Sequence, residues 1–211
     1  MDKIRFLYSK TGKAKFISHL DLMAIMQRAF LRADVKLKYS EGFNPHPYMS
    51  VALPLSVGCE SICELIDVKL TTNTVPDIKS IRLPDGITLL DAYLPERKFN
   101  EITWIEINGY MHYDKKVNTN TIKQLEECFS EESIIIPKRK KRGIKNLDIA
   151  PHIKDLEFEL KEHIEMKAKI SAQNPTLNAE DLMSAVCDEL KPVYTDMKRI
   201  AFYDSNMIIF R

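Results

Sequence analysis

The chain has 211 residues, enough for one large domain or two small ones. Apolar residues make up 45% and charged residues 29%, an ordinary globular composition. No apolar run approaches the roughly 18 residues of a membrane span, and Met1-Asp2-Lys3-Ile4-Arg5 lacks the apolar core of a secretory signal, so the expectation is a cytoplasmic protein with no membrane partner.

Ile4 to Ser9 alternates apolar and polar residues, as a half-buried strand does. Lys10 to Lys13 reads as a turn. Ser18 is a suitable N-cap, and Asp21 three residues on completes a pattern like a capping box. Leu20, Met23, Ala24, Met26, Gln27, Ala29, Phe30 and Leu31 then recur near a 3.6 period, predicting a helix to about Ala33. Short strands are expected at Val35–Tyr39 and Tyr48–Leu53, and a longer one at Cys63–Leu70. A short helix fits Val75–Ile81, and a further strand Ile87–Leu94. The break falls near Pro95 to Asn100. Beyond it, Ile102–Tyr113 alternates cleanly, Thr119–Phe129 is amphipathic, and Ser133–Pro137 is a β-branched strand. The basic run after it reads as a loop, 138–145. Leu156–Leu160 and Ile164–Ile170 look like paired strands. Asn178 caps a helix running to about Leu190, followed by strands at Lys198–Tyr203 and Asn206–Phe210.

This order predicts an α+β fold of two tandem ferredoxin-like (βαββαβ) lobes with antiparallel sheets, residues 1–97 and 98–211. One continuous α+β sandwich is the alternative.

Net charge is only +1, but it is segregated. The first 40 residues carry nine Lys/Arg against three acids, and a second basic block is Lys138-Arg139-Lys140-Lys141-Arg142. Such a chain can present a basic face to phosphates. Lys10, Lys13, Lys15 and the run Lys138 to Arg142 are the candidate phosphate contacts, each with the competing reading of a solvated loop. Ser18 and Asp21 flank His19 at the predicted helix start. His19 suits acid–base work or a phosphate contact, or it simply packs there. Tyr39-Ser40-Glu41-Gly42-Phe43-Asn44-Pro45-His46-Pro47 is a proline-stiffened loop, which holds polar groups such as Tyr39, Asn44 and His46 at little entropic cost on binding. Glu41 is a candidate base or an exposed turn acid.

Cys59, Cys63, Cys128 and Cys187 do not have zinc-site spacing, and a cluster motif starting at Cys59 would need a cysteine where Ile66 stands. No metal or cofactor is expected in this chain. Glycine-rich nucleotide loops and the common serine-hydrolase and zinc-protease motifs are absent.

Lys15-Phe16-Ile17-Ser18-His19-Leu20-Asp21, Tyr39 to Pro47 and Ala52-Leu53-Pro54-Leu55-Ser56-Val57-Gly58 together resemble the radical SAM-linked family of bacterial domains of unknown function, which occur alone or fused to radical SAM proteins. Asp148-Ile149-Ala150-Pro151-His152-Ile153 and Lys198-Arg199 resemble the family's weaker motifs. The resemblance implies a radical SAM protein as partner, with S-adenosylmethionine and an iron–sulfur cluster in that partner only, and a link to RNA. The element order is also similar to the double ferredoxin-like endoribonucleases of CRISPR repeat RNA, at the level of fold. Three functions follow as expectations. The first is an RNA-binding accessory module acting with a radical SAM enzyme in tRNA or rRNA modification or processing. The second is a metal-independent RNA enzyme using His19 and His46, with Lys15 or Arg28 steadying the anion. The third is a protein-only adaptor.

Overall fold

A computed structural model of the chain describes residues 3–72, 74–140 and 143–211, with the side chains of Arg139 and Lys140 outside that description. The fold is mixed α+β and divides into two compact units. One reaches to Glu101 and includes Arg211; the other is Ile102–Phe210.

The first unit contains β1 (Lys3–Lys10), α1 (His19–Arg32), β2 (Met49–Val51), β3 (Glu60–Lys69) and β4 (Ile87–Tyr93). β1 runs antiparallel to both β3 and β4, and β2 antiparallel to β3, so the order is β4-β1-β3-β2. Strand alternation sends Ile4, Phe6 and Tyr8 of β1, with Ile66 and Val68 of β3, into one core. α1 covers that core with Leu22, Met26, Ala29 and Phe30, all buried. The Phe6 and Phe30 rings meet at 4.8 Å between centroids. Burying a side chain such as Phe30 contributes about 1.5–3 kcal/mol. The helix starts as its sequence predicts: Asp21 N–H donates to Ser18 Oγ (3.2 Å), and the Ser18 hydroxyl donates to Asp21 Oδ2 (2.7 Å).

Two expected elements of this unit are reduced. The strand over Val35–Tyr39 is represented by single bridges, Leu37 to Leu70 and Tyr39 to Pro47, because the chain turns outward after Lys38. The helix over Val75–Ile81 is one 3-10 turn, Ile78–Ser80, capped by Asp77. Only Ile81 there is buried, so no continuous apolar face exists to hold a longer helix.

The second unit contains β5 (Trp104–His112), α2 (Thr119–Cys128), β6 (Ile135–Lys140), β7 (Gly143–Asp148), β8 (Ile153–Leu160), β9 (Ile164–Ser171), α3 (Ala179–Met183) and β10 (Tyr194–Tyr203). Its main sheet is antiparallel in the order β10-β5-β9-β8, and β6 pairs β7 as a separate hairpin. Ile105, Ile107 and Met111 point to the core with Ile164, Met166, Ala168 and Ile170 of β9. Gly109 lies in the same row, and a Cβ there would sit 2.4 Å from Asp196 O, so β5 and β10 need a glycine at this crossing. In each unit the first and third strands of the main sheet lie at its centre.

Three expectations for this unit are corrected. The basic run is not a loop: Lys138, Arg139 and Lys140 belong to β6, with Arg139 opposite Ile144. The helix from Asn178 stops at Met183, and a separate 3-10 turn covers Asp188–Leu190. The apolar spacing misled because Leu182, Val186 and Leu190 all reach the core from two short turns joined by extended backbone at Cys187. The strand over Asn206–Phe210 is a bridge between Tyr203 and Ile209, closed by Asp204, whose Oδ1 accepts from Asn206 N (2.8 Å) and Ile208 N (3.0 Å).

Candidate functional site

The sequence motifs of the first unit lie on two separate structures. At the Lys10 end of β1, the chain enters a 3-10 turn, Gly12–Phe16, and then α1. Lys10 itself is 2% exposed. Its ammonium donates to Ile17 O (2.6 Å) and Lys15 O (3.4 Å), so the expected phosphate contact is instead an internal brace for the turn. Burial pulls the Lys10 pKa below the usual lysine value, against the opposing pull of Glu64 and Cys59. Glu64 is buried opposite Tyr8 across β1 and β3. The third motif joins here, because Gly58 N donates to Lys15 O (2.9 Å) and Gly12 N to Glu60 Oε1 (2.9 Å). Thr11 N donates to Gly86 O (2.8 Å), and a Cβ at Gly86 would lie 2.4 Å from Thr11 O.

On this braced turn Lys13, Phe16, His19 and Leu20 are exposed, and Lys15 is half-buried. The Lys15 ammonium lies 5.5 Å from the centre of the Phe16 ring. Ser18 and Asp21, candidates for binding, are occupied as the helix cap. The turn therefore carries cations, one imidazole and an exposed ring on fixed backbone.

The Tyr39–Pro47 loop is anchored at the other end of the sheet. It leaves from Lys38, whose N donates to Lys69 O (2.9 Å), and returns at Tyr48, whose O accepts from Lys69 N (2.9 Å). Inside it, Ser40 N donates to His46 O (2.8 Å), and His46 N donates to Ser40 Oγ (3.0 Å). Glu41, Phe43, Asn44 and His46 are exposed, and Tyr39 is half-buried. Lys69 faces Lys3 across the sheet, whereas Lys10 faces Ser61. The anchors of His19 and His46 are thus separated along the strands by the length of β1, roughly 20 Å. A joint acid–base pair of the two imidazoles is not what this scaffold assembles.

Beside the loop's return, Lys3, Pro47, Tyr48, Met49, Ser50, Asp67 and Lys69 line a cleft of about 270 Å³. Beneath it, Arg5 is fully buried and donates to Asp67 twice, Nε to Oδ1 (2.7 Å) and Nη2 to Oδ2 (3.1 Å). Arg5 Nη2 also donates to Arg97 O (2.9 Å), and its guanidinium lies 4.3 Å from the Phe99 ring centre. Arg5, Asp67, Lys3 and Lys69 were not singled out as site residues from the sequence, whereas Tyr48 stands among the aromatics between the basic residues that could stack on a base. Arg5 and Asp67 did carry a signal, as opposite charges inside two alternating strands.

In the second unit, Lys138 donates to Asp181 Oδ2 (2.6 Å) and Thr176 O (2.5 Å). Its ammonium is committed to the α3 cap rather than offered to phosphate. Lys141 and Arg142 lie outside the described residues, and for Arg139 and Lys140 only the strand position is described. The Asp148–Ile153 motif is a structural clamp. Asp148 accepts from Ile134 N (2.9 Å), the Ser133 hydroxyl (2.8 Å) and Ala150 N (3.1 Å), which closes the base of the β6–β7 hairpin and holds its carboxyl below the usual aspartate range. Among the described residues no group of three or more His, Cys, Asp or Glu is placed to hold a metal ion, and no helix is long and apolar enough to cross a membrane.

A family model described as "Uncharacterized protein conserved in bacteria (DUF2344)" matches residues 3–179. No curated protein matches the chain. Among solved structures, the chain is similar to one in the crystal structure of a Cbf5-Nop10-Gar1 complex, at 12% identity and a TM-score of 0.54, covering 95% of this chain and 49% of that one. The chain thus spans about half the length of that protein, and the likeness is one of fold. A second match, Thermus thermophilus Cse3 bound to an RNA representing a pre-cleavage complex, has 10% identity over 92% of this chain and 98% of that one, but its TM-score of 0.20 carries no structural argument.

Proposed function

The chain belongs to the bacterial family DUF2344, and we propose that it is an RNA-binding module that works beside a partner enzyme. The observation that carries this reading is the braced turn of the first unit. Lys13, Lys15, Phe16 and His19 are displayed on backbone that the buried Lys10 ammonium holds from within. Ammonium groups neutralise phosphates and release counterions. A ring such as Phe16 offers a stacking surface. A turn already fixed loses little freedom on binding.

The strand orders support reading each unit as a ferredoxin-like lobe. In the first, a 3-10 turn stands where a second helix would be; in the second, the β6–β7 hairpin is inserted after α2. The sequence resemblance supports a radical SAM enzyme as the partner, holding S-adenosylmethionine and the cluster in its own chain, with tRNA or rRNA as the shared substrate. A cytoplasmic setting goes with that reading.

Fluorescence anisotropy of the purified chain with labelled tRNA, at rising salt, tests the proposal. Binding should weaken steeply with salt, and replacing Lys13 and Lys15 together by alanine should reduce the log–log slope by about one to two units. A salt-insensitive complex with the enzyme and no RNA binding would favour the adaptor instead. RNA cleavage products formed without metal or S-adenosylmethionine would favour the enzyme.

A further inference from the structure

We propose that Lys3, Tyr48 and Lys69 form a subsite for one unpaired nucleotide, with the base against the Tyr48 ring and the phosphate between the two ammonium groups. The proposal rests on the RNA-binding reading and narrows its substrate to single-stranded RNA at this position.

Strand alternation builds the subsite. Ile4, Met49 and Val68 turn towards the core, so Lys3, Tyr48, Ser50, Asp67 and Lys69 face the other way. The cleft they line, about 270 Å³, lies just below the usual range for drug-sized ligands and suits a single base. Tyr48 is 42% exposed. Its backbone is fixed on both sides, by Lys38 O and Lys69 N, and the Lys69 ammonium lies 4.8 Å from its ring centre. The ring is thus held ready before any ligand arrives.

The charges favour an anion. Asp67 is the carboxylate of the cleft, and the buried Arg5 guanidinium grips both of its oxygens. Asp67 Oδ2 is also 3.8 Å from the Lys3 ammonium. With Arg5 and Asp67 cancelling, Lys3 and Lys69 leave the cleft positive. A base stacked inside a duplex exposes only its edges, so a tyrosine face accepts a base only from an unpaired segment.

The test compares a labelled oligouridylate, which stacks little upon itself, with a blunt RNA duplex, both bound to the full chain. Wild type should bind the oligouridylate. Tyr48→Ala should weaken that binding about tenfold and leave duplex binding unchanged. Tyr48→Phe should retain wild-type affinity, and Lys69→Gln should lower the salt slope by about 0.7. Thermal melts of the variants establish that each remains folded. If wild type binds the oligouridylate and Tyr48→Ala binds it equally well, the subsite is overturned while the RNA-binding reading stands. Equal loss on both RNAs overturns the preference for unpaired nucleotides. If wild type binds neither RNA, the broader reading falls and takes the subsite with it.

Discussion

The two ends of the first unit's sheet are each fastened by a buried cation, and the two cations are satisfied differently. At one end, Lys10 donates to main-chain carbonyls of the turn that carries Lys13, Lys15 and His19. At the other, Arg5 grips the Asp67 carboxylate beneath the cleft of Lys3, Tyr48 and Lys69. A lysine ammonium offers three donors that can spread over carbonyls in different directions, whereas the planar guanidinium matches a carboxylate edge to edge. The first arrangement shapes a segment of chain. The second removes a negative charge from a surface while keeping two strands in register. Both leave the residues above them exposed or half-exposed, which is how polar side chains come to stand at the surface on fixed supports.

If the two fastenings differ in this way, their loss should differ too. Arg5→Met should have the largest effect, because it strands the Asp67 carboxylate in the interior. The expected loss is about 3–5 kcal/mol, read from the denaturant midpoint. A loss below about 1 kcal/mol would mean that Lys3 replaces the guanidinium in full.

Lys10→Met keeps the apolar stem and removes only the donor. It should cost about 1–3 kcal/mol. It should also speed hydrogen exchange at Ile17, Ser18 and His19 while leaving the Tyr39–Pro47 loop unchanged. Equal loosening of both regions would end the distinction between the two ends.

Ser18→Ala removes the helix cap above Lys10 and should cost about 1 kcal/mol. The circular-dichroism melt measures this, and a Lys10→Met, Ser18→Ala double variant would show less than the sum if both act on the same turn.

The smallest effect is a pH dependence. The folded Lys10 pKa is depressed, so between that value and the ordinary 10.5 the unfolded chain holds the proton and the folded chain does not. The contribution of Lys10 to stability therefore rises as pH rises through that window, and Lys10→Met should remove the rise. Tyr113 acts with the opposite sign. Burial raises its pKa to about 12, so its contribution falls as pH climbs from the ordinary value of 10.0 towards 12. Tyr113→Phe separates the two in urea titrations at stepped alkaline pH.

Much of this scaffold was legible in the residues. The alternation of Ile4, Phe6 and Tyr8 placed β1, and Ser18 with Asp21 marked the start of α1, because both patterns are local and set by backbone geometry. The fate of individual charges was not legible. Lys10 follows a strand and precedes a glycine, which suggests a solvated turn; only the return of Lys15 and Ile17 over it makes it interior. Lys138 opens a run of five basic residues that resembles a mobile loop, and its partner Asp181 lies 43 positions later. Tyr48, Lys69 and Lys3 come from three distant segments, so no spacing rule could unite them.

The Tyr39–Pro47 excursion also matters for what the sheet avoids. It interrupts the border of the sheet between the single bridge at Leu37 and the three residues of β2. An unbroken border would present a row of main-chain donors and acceptors on which other copies could add, the usual route to fibrous aggregation. Pro45 and Pro47, which have no N–H to offer, sit within the gap. The same loop that displays Asn44 and His46 thereby leaves this stretch of border without a continuous row of donors and acceptors.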